Sequence, residues 1–396
     1  MKDITDAHWR ERIPLPHAPR HPLWLDAYFA AWELLAQAAR PQGPEACLLS
    51  LCLRYTGDGA TWLDRCEAAD PLLAWCEWEC YQYSGDAGRL AGSHARLRSR
   101  VGALAHVLPG LVERFEERTA QAGLADNAYE ALAVECSARI ARTLGDEALA
   151  ARFEQAWRAY CQALNAQAWA EPAGFYVDAA GHKTSAGFLP MLAGAASEAQ
   201  VDRLVQHLTC PAEFWRLHVA PALSADEPRF ADRGAGRRGS VYPQDDYALI
   251  KGLERYGHDA LALRVADNHL TTVSHVFKET QALWDNYAPD YIEPGSIAHP
   301  DEPLAALSAI ALLLETIFGF RVDAPQNALH WRPHLRETHS VERLRVGGVQ
   351  VSAQVVEDMG QLTARLTTSA PLRLHLSGAH GDEWIDVPQT FQMSLA

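Results

Sequence analysis

The turn Arg255-Tyr256-Gly257-His258 decides the fold class. Before it, residues 244–257 carry apolar side chains at three- and four-residue spacing, and after it residues 259–279 do the same. A glycine at that place ends one helix in a left-handed conformation and lets an antiparallel neighbour start. Tyr83-Ser84-Gly85-Asp86 does the same between helices expected over 71–83 and 87–106, and Leu144-Gly145-Asp146 separates 127–144 from 146–166. The segment 22–40 has Pro22 near its start and the same helical period. Further helices are expected near 45–55, 110–121, 184–194, 197–207 and 302–317. About a dozen helices in successive hairpins predict an all-α-dominated chain, with residues 1–325 forming a closed toroid of helix pairs.

After about residue 325 the period changes to two. Val346-Gly347-Gly348-Val349-Gln350-Val351-Ser352-Ala353-Gln354-Val355 and Leu362-Thr363-Ala364-Arg365-Leu366-Thr367 alternate, and Leu372-Arg373-Leu374-His375-Leu376 and Thr390-Phe391-Gln392-Met393-Ser394 follow. Residues 326–396 are therefore expected to form a small antiparallel β appendage packed on the helical body.

Of 396 residues, 48% are hydrophobic and 21% charged, the formal net charge is −15, and 12 are Trp. An acidic chain is a poor fit for nucleic acid or an anionic membrane surface, so a small-molecule ligand is the expected partner. No apolar run reaches spanning length and the first residues hold no apolar signal core, from which a cytoplasmic location is expected. The eight cysteines, at 47, 52, 66, 76, 80, 136, 161 and 210, are scattered through helical segments and read as reduced and buried. Cys76 and Cys80 lie one helical turn apart with no second ligand pair at metal spacing, so neither a metal nor a cofactor is expected.

Trp284-Asp285-Asn286-Tyr287-Ala288-Pro289-Asp290 places an aromatic, a carboxylate, an amide and a phenol side by side between two helical segments. That mixture suits a sugar-like ligand, whose ring faces stack on aromatics and whose hydroxyls need fixed polar partners. Asp285, Trp284, Asn286 and Tyr287 are thus candidate site residues. Tyr242 and Tyr247 offer further polar-tipped rings, and Arg237-Arg238 forms a loop pair suited to a carboxylate or phosphate. Trp75 is a candidate ring platform, with core packing as its alternative. Asp245 and Asp246 diverge by about 100° on a helix and cannot form a dyad on one face. His269 and His275 have no carboxylate partner evident in the sequence.

Several strings also resemble trehalases, processing α-glucosidases and mannosylglycerate-type hydrolases, which share an (α/α)6 barrel. They are Trp9-Arg10-Glu11-Arg12-Ile13-Pro14-Leu15-Pro16, Pro71-Leu72-Leu73-Ala74-Trp75-Cys76-Glu77-Trp78-Glu79, Gly174-Phe175-Tyr176-Val177-Asp178 with Gly187-Phe188-Leu189-Pro190-Met191-Leu192-Ala193-Gly194, and Arg238-Gly239-Ser240-Val241-Tyr242-Pro243-Gln244-Asp245-Asp246-Tyr247. Trp284-Asp285-Asn286-Tyr287-Ala288-Pro289 resembles the family's Trp-Glu-Asn-Tyr-Ala-Pro, in which Glu is the catalytic base. The resemblance covers roughly residues 8–340. It implies inverting hydrolysis, in which one carboxylic acid protonates the leaving oxygen and a carboxylate across the ring activates water.

On that resemblance Asp285 takes the place of the base, one methylene shorter. Asp126, in Ala122-Gly123-Leu124-Ala125-Asp126-Asn127-Ala128, is either the acid, after one inserted residue, or only the first-turn residue of the next helix. Asp246 stands where the family has a pocket-facing Asn, which makes it a further candidate acid. Departures gather on the ligand side. Arg237 replaces an aromatic, His299-Pro300-Asp301-Glu302-Pro303 replaces a Phe-Val-Gly-Trp-like turn, and the interval 43–70 is too short for two further family segments. These losses lead to the expectation of a barrel enzyme turned from glycoside hydrolysis to protonation, cyclisation or isomerisation by its inner acids. The alternatives are an active inverting α-glycosidase on a small sugar or sugar–acid conjugate, and a catalytically silent binding protein.

Overall fold

A computed structural model of the chain describes residues 8–38, 42–67, 70–95, 123–378 and 381–395. The helices are α1 (Pro22–Gln37), α2 (Gly43–Leu53), α3 (Gly59–Leu63), α4 (Leu73–Ser84), α5 (Leu124–Thr143), α6 (Glu147–Ala168), α7 (Leu189–Leu192), α8 (Glu198–Leu208), α9 (Pro243–Arg255) and α10 (Asp259–Thr280). Pro22 opens α1, and Trp24, Ala27, Tyr28, Ala31, Trp32 and Leu35 form its buried stripe. Gly85, at φ +68°, ends α4. Asp146 caps α6 by accepting from Leu149 N, and Ser197 with Gln200 forms a reciprocal cap on α8. The hairpins read from the glycine turns are present: α5 packs on α6, and α9 on α10, which also lies against α1.

Residues 87–95 are helical, whereas the rest of the expected 87–106 helix and the expected 110–121 helix lie outside the described residues. The expected helix 184–194 is a 3-10 turn, Ser185–Phe188, followed by the single turn α7; Pro190 near the start of α7 lacks the amide that would continue the bonding. The expected helix 302–317 is a 3-10 turn, Pro303–Ala305, and a π-helical stretch, Ser308–Ile317, in which every residue except Glu315 is buried.

The strands are β1 (Leu15–His17), β2 (Trp169–Ala170), β3 (Phe175–Tyr176), β4 (Phe320–Asp323), β5 (Ala328–Trp331), β6 (His339–Val346), β7 (Val349–Asp358), β8 (Gln361–Thr368), β9 (Leu372–Gly378), β10 (Gly381–Val387) and β11 (Thr390–Leu395). A five-stranded antiparallel sheet runs β1-β6-β7-β8-β11, and a four-stranded sheet runs β10-β9-β5-β4. The expectation of antiparallel strands needs one correction, because β5 and β9 pair in parallel. The chain leaves β5, builds three strands of the other sheet and returns as β9, a detour long enough for a parallel return. The first part of the chain also supplies a strand: β1 pairs with β6, Leu15 opposite Glu342. A single buried cluster runs from Trp32 and Trp62 in the helices to Trp331, Val341 and Leu374 in the sheets.

Candidate functional site

A cavity of about 540 Å³ opens between the start of α5, the segment before α7 and the loop that leads into α9. Gly123, Leu124, Ala125 and Tyr129 form one wall; Asp178, His182 and Ser185 form a second; Arg229, Arg237, Arg238, Gln244 and Asp245 form a third. Pro243 starts α9, so Asp245 falls in its first turn, where the helix dipole favours a negative charge. Ser185 Oγ donates to Asp245 Oδ2 at 2.7 Å, and Arg237 Nη1 pairs with the same oxygen. The Arg237 guanidinium lies 4.2 Å from the Tyr242 ring centroid. Burial opposes the charge of Arg237, but Asp245 outweighs it and holds the group above its ordinary pKa. On the second wall Asp178 Oδ1 accepts from Ala180 N at 2.9 Å and from His182 N at 2.8 Å. Arg229 and Arg238, both exposed, line the cavity and have no carboxylate partner among the described residues.

None of residues 284–290 lines this cavity; the loop is linked to it through Tyr242, over whose ring the cavity residue Arg237 lies. An antiparallel bridge of Val241 with Tyr287 sets Tyr242 next to the loop. Asp285 Oδ1 accepts from Asn286 Nδ2 and from His299 N, both at 2.8 Å, and His299 Nδ1 stands 3.4 Å from Oδ2. The Asp285 side chain is 28% exposed. Burial raises the Tyr242 phenol pKa, and Asp285 adds to the shift. The other members of the loop face inward: Asn286 and Tyr287 are buried, and Tyr287 Oη accepts from Trp284 N at 3.2 Å. Trp284 Nε1 donates to Thr280 Oγ1 at 3.1 Å.

The remaining candidates separate. Asp126 is exposed in the first turn of α5, next to the cavity residue Ala125. Trp75 and Tyr247 are buried with ring centroids 6.2 Å apart and line a second cavity of about 560 Å³, shared with Arg54, Lys251 and Glu315. There Glu315 accepts from Tyr55 Oη at 2.6 Å and Tyr247 Oη at 3.2 Å, meets Lys251 Nζ at 2.8 Å and pairs with Arg54. Although burial works against its charge, Arg54 and Lys251 bring the Glu315 carboxyl down to about 2.

Asp246 does not line the first cavity. It is fully buried on the inner side of α9, with Oδ2 2.5 Å from His269 Nδ1. His269 therefore has the carboxylate neighbour that its sequence did not disclose, because 23 positions and a helix–helix turn separate the two. Burial pushes the Asp246 carboxyl up to about 6 against the pull of His269, and pushes His218 well below the usual histidine range.

Of the residues singled out from sequence, Arg237 and Arg238 line the first cavity. Ser185, His182 and Arg229 do so without having been singled out. Their only signal was the hairpin string around Asp178 and the loop before Arg237.

With the helices, the C-terminal sheets and the cavity described, part of the chain can be set beside a known family. Residues 113–291 match the mannosylglycerate hydrolase MGH1-like glycoside hydrolase domain, so the resemblance to the trehalase-like clan holds over the middle of the chain. A mannosylglycerate hydrolase of Thermus thermophilus is 34% identical over 107 residues, 24% of this chain and 25% of that protein. An uncharacterized protein of Borreliella burgdorferi is 28% identical over 227 residues, 53% of this chain and 48% of that protein. The chain thus spans about half or less of the curated relatives it matches. The α-L-rhamnosidase of Dictyoglumus thermophilum superposes with a TM-score of 0.70 at 13% identity, over 97% of this chain and 50% of that one, a likeness of fold alone.

Proposed function

We propose that this protein is an inverting glycosidase acting on a small sugar joined to an acid, with its helical hairpins closed as an (α/α)6 barrel. Residues 1–325 would form that barrel and lend β1 to the sheet of residues 326–396. The observation that carries the reading is the cavity lined by Arg229, Arg237 and Arg238, of which Arg229 and Arg238 have no carboxylate partner among the described residues. Guanidinium groups suit a carboxylate, which they bind through paired N–H donors. The match of residues 113–291 to the mannosylglycerate hydrolase-like domain supports the hydrolytic reading over the non-hydrolytic one.

Asp285 is the proposed base. His299 N and Asn286 Nδ2 hold its Oδ1, and Oδ2, which His299 Nδ1 approaches at 3.4 Å, is the oxygen proposed to take a proton from water. Asp126 is the proposed acid. Its exposure in the first turn of α5 favours one second reading, in which the cavity serves protonation or isomerisation without hydrolysis.

The test is NMR of the products formed from a panel of sugar–acid conjugates and neutral α-glucosides. Release of the sugar with inversion at the anomeric carbon, from acidic conjugates in preference to trehalose, is expected. Isomerised or cyclised products would establish the second reading, and binding without turnover would remove both.

A further inference from the structure

We propose that His218, Asp246 and His269 form a binding site for a divalent cation of the zinc type, set in the core behind the cavity. The proposal is independent of what the cavity hydrolyses. The three side chains come from three segments: the loop before α9, the first turn of α9 and the middle of α10. All three are 0% exposed. Each offers one ligand atom, and the three atoms lie within 4.8 Å of one another. His269 Nδ1 stands at the centre, 2.5 Å from Asp246 Oδ2 and 2.9 Å from His218 Nε2.

Protons alone do not satisfy this arrangement. If His269 Nδ1 carries its proton, one N–H faces two acceptors, and His218 must hold its own proton on Nδ1, which has no partner among the described residues. If His218 Nε2 donates instead, Nδ1 is a lone pair 2.5 Å from a carboxylate oxygen. Among the described residues neither Asp246 oxygen receives a well-directed hydrogen bond, His269 Nδ1 being the near but poorly aimed donor, and His269 Nε2 also lacks a partner. A buried carboxylate left so is costly, whereas one cation would meet all three inward lone pairs at once.

The donor set selects the cation. Two imidazole nitrogens and one carboxylate oxygen suit zinc and its first-row neighbours. Calcium needs six to eight oxygens and magnesium an octahedron largely of water, neither of which fits a core site with two nitrogens.

The scaffold holds the donors in place. His218 N donates to Pro289 O at 2.8 Å, Val219 N to Asn268 Oδ1 at 2.9 Å, and Asn268 Nδ2 to Leu217 O at 2.9 Å. Among the described residues the outward nitrogens of both imidazoles lack the carbonyl or carboxylate that tightens many zinc sites, a feature worth about 10–100-fold in affinity. The bound ion is therefore expected to be removable by a chelator. Its position would tie the loop bearing Arg229, Arg237 and Arg238 to α9 and α10.

The test uses the full chain purified from zinc-supplemented medium. Elemental analysis should find one metal ion per chain. The chelator-treated protein should show a rise in Tm that grows with added Zn2+, and visible d–d absorption with Co2+. His269→Gln and His218→Gln, checked for folding by circular dichroism, should lose the cobalt spectrum, while Cys76→Ser with Cys80→Ser should keep it. Should the histidine variants not fold, metal content and the cobalt titration of the parent chain decide alone. A folded parent chain without metal, without a Tm response and without cobalt bands overturns the proposal. So does a cobalt spectrum that survives His269→Gln or disappears with the cysteine pair.

Discussion

Asp245 and Asp246 are neighbours in the chain whose carboxylates face different surroundings: Asp245 meets Ser185 Oγ at 2.7 Å on the cavity wall, and Asp246 lies fully buried 2.5 Å from His269 Nδ1. Successive helical residues diverge by about 100°, so one turn of α9 serves the solvent-filled side and the core at once. The cavity and the histidine cluster share a wall but no side chain.

Substituting Arg237→Ala removes a guanidinium that lines the cavity, together with the partner of Asp245. A charge-assisted contact with an anionic substrate is worth about 1.5–3 kcal/mol, or roughly 10–150-fold. An increase of that order in KM for an acidic conjugate is expected, with a much smaller change for a neutral glycoside. Steady-state kinetics on the matched pair checks it.

Asp285→Asn keeps an acceptor for His299 N while abolishing the titratable group. The side chain is 28% exposed, so folding is expected to be unaffected, within about 1 kcal/mol. Turnover should fall by about 100 to 10,000-fold, the usual worth of a general base. Full activity in the folded variant would assign Asp285 a structural role.

Glu315 makes stability depend on acid. Its folded pKa, about 2, lies below the 4.5 of an unperturbed glutamate. The stabilisation is therefore present above about pH 4.5 and is lost as pH falls towards 2. A shift of this size corresponds to on the order of 3 kcal/mol. Thermal melts between pH 6 and pH 3 should show Tm falling through the lower half of that range. Glu315→Gln should flatten the dependence and cost about 3–5 kcal/mol at pH 7, because Arg54 and Lys251 are left without their shared carboxylate.

Gly319→Ala tests the junction between the helical part and β4. Gly319 has φ +78°, and a Cβ there would stand 1.7 Å from Arg332 O. Both the conformation and the contact oppose a side chain, so a loss of about 1–3 kcal/mol or more is expected in denaturant unfolding.

Legibility followed the range of the interactions. The pairs α5–α6 and α9–α10 were readable because apolar period and a glycine turn are both local. β1 was not, since three residues become a strand only when β6 arrives beside them. The parallel pairing of β5 with β9 depends on a detour through another sheet, which alternation alone does not encode. The stretch Ser308–Ile317 read as helix from its apolar run, but a run that is buried nearly all round carries no periodic mark of its wider winding. In the site, the Trp284–Asp290 loop was visible as chemistry. That Asn286 and Tyr287 turn inward, and that Asp246 finds His269, are consequences of packing between distant segments.

The pairing of β1 with β6 also sets a timetable for biosynthesis. His17 lies opposite Ser340, so the strand leaves the ribosome more than 300 residues before its partner exists. At roughly 5–20 residues per second the interval is about 15–60 seconds. During that time the helical hairpins, whose contacts are local, have ample opportunity to form, while residues 15–17 present an unpaired backbone edge. The pairing of β1 waits for β6 to be made, and a chain stalled before residue 346 would expose that edge to chaperones and to other copies of itself.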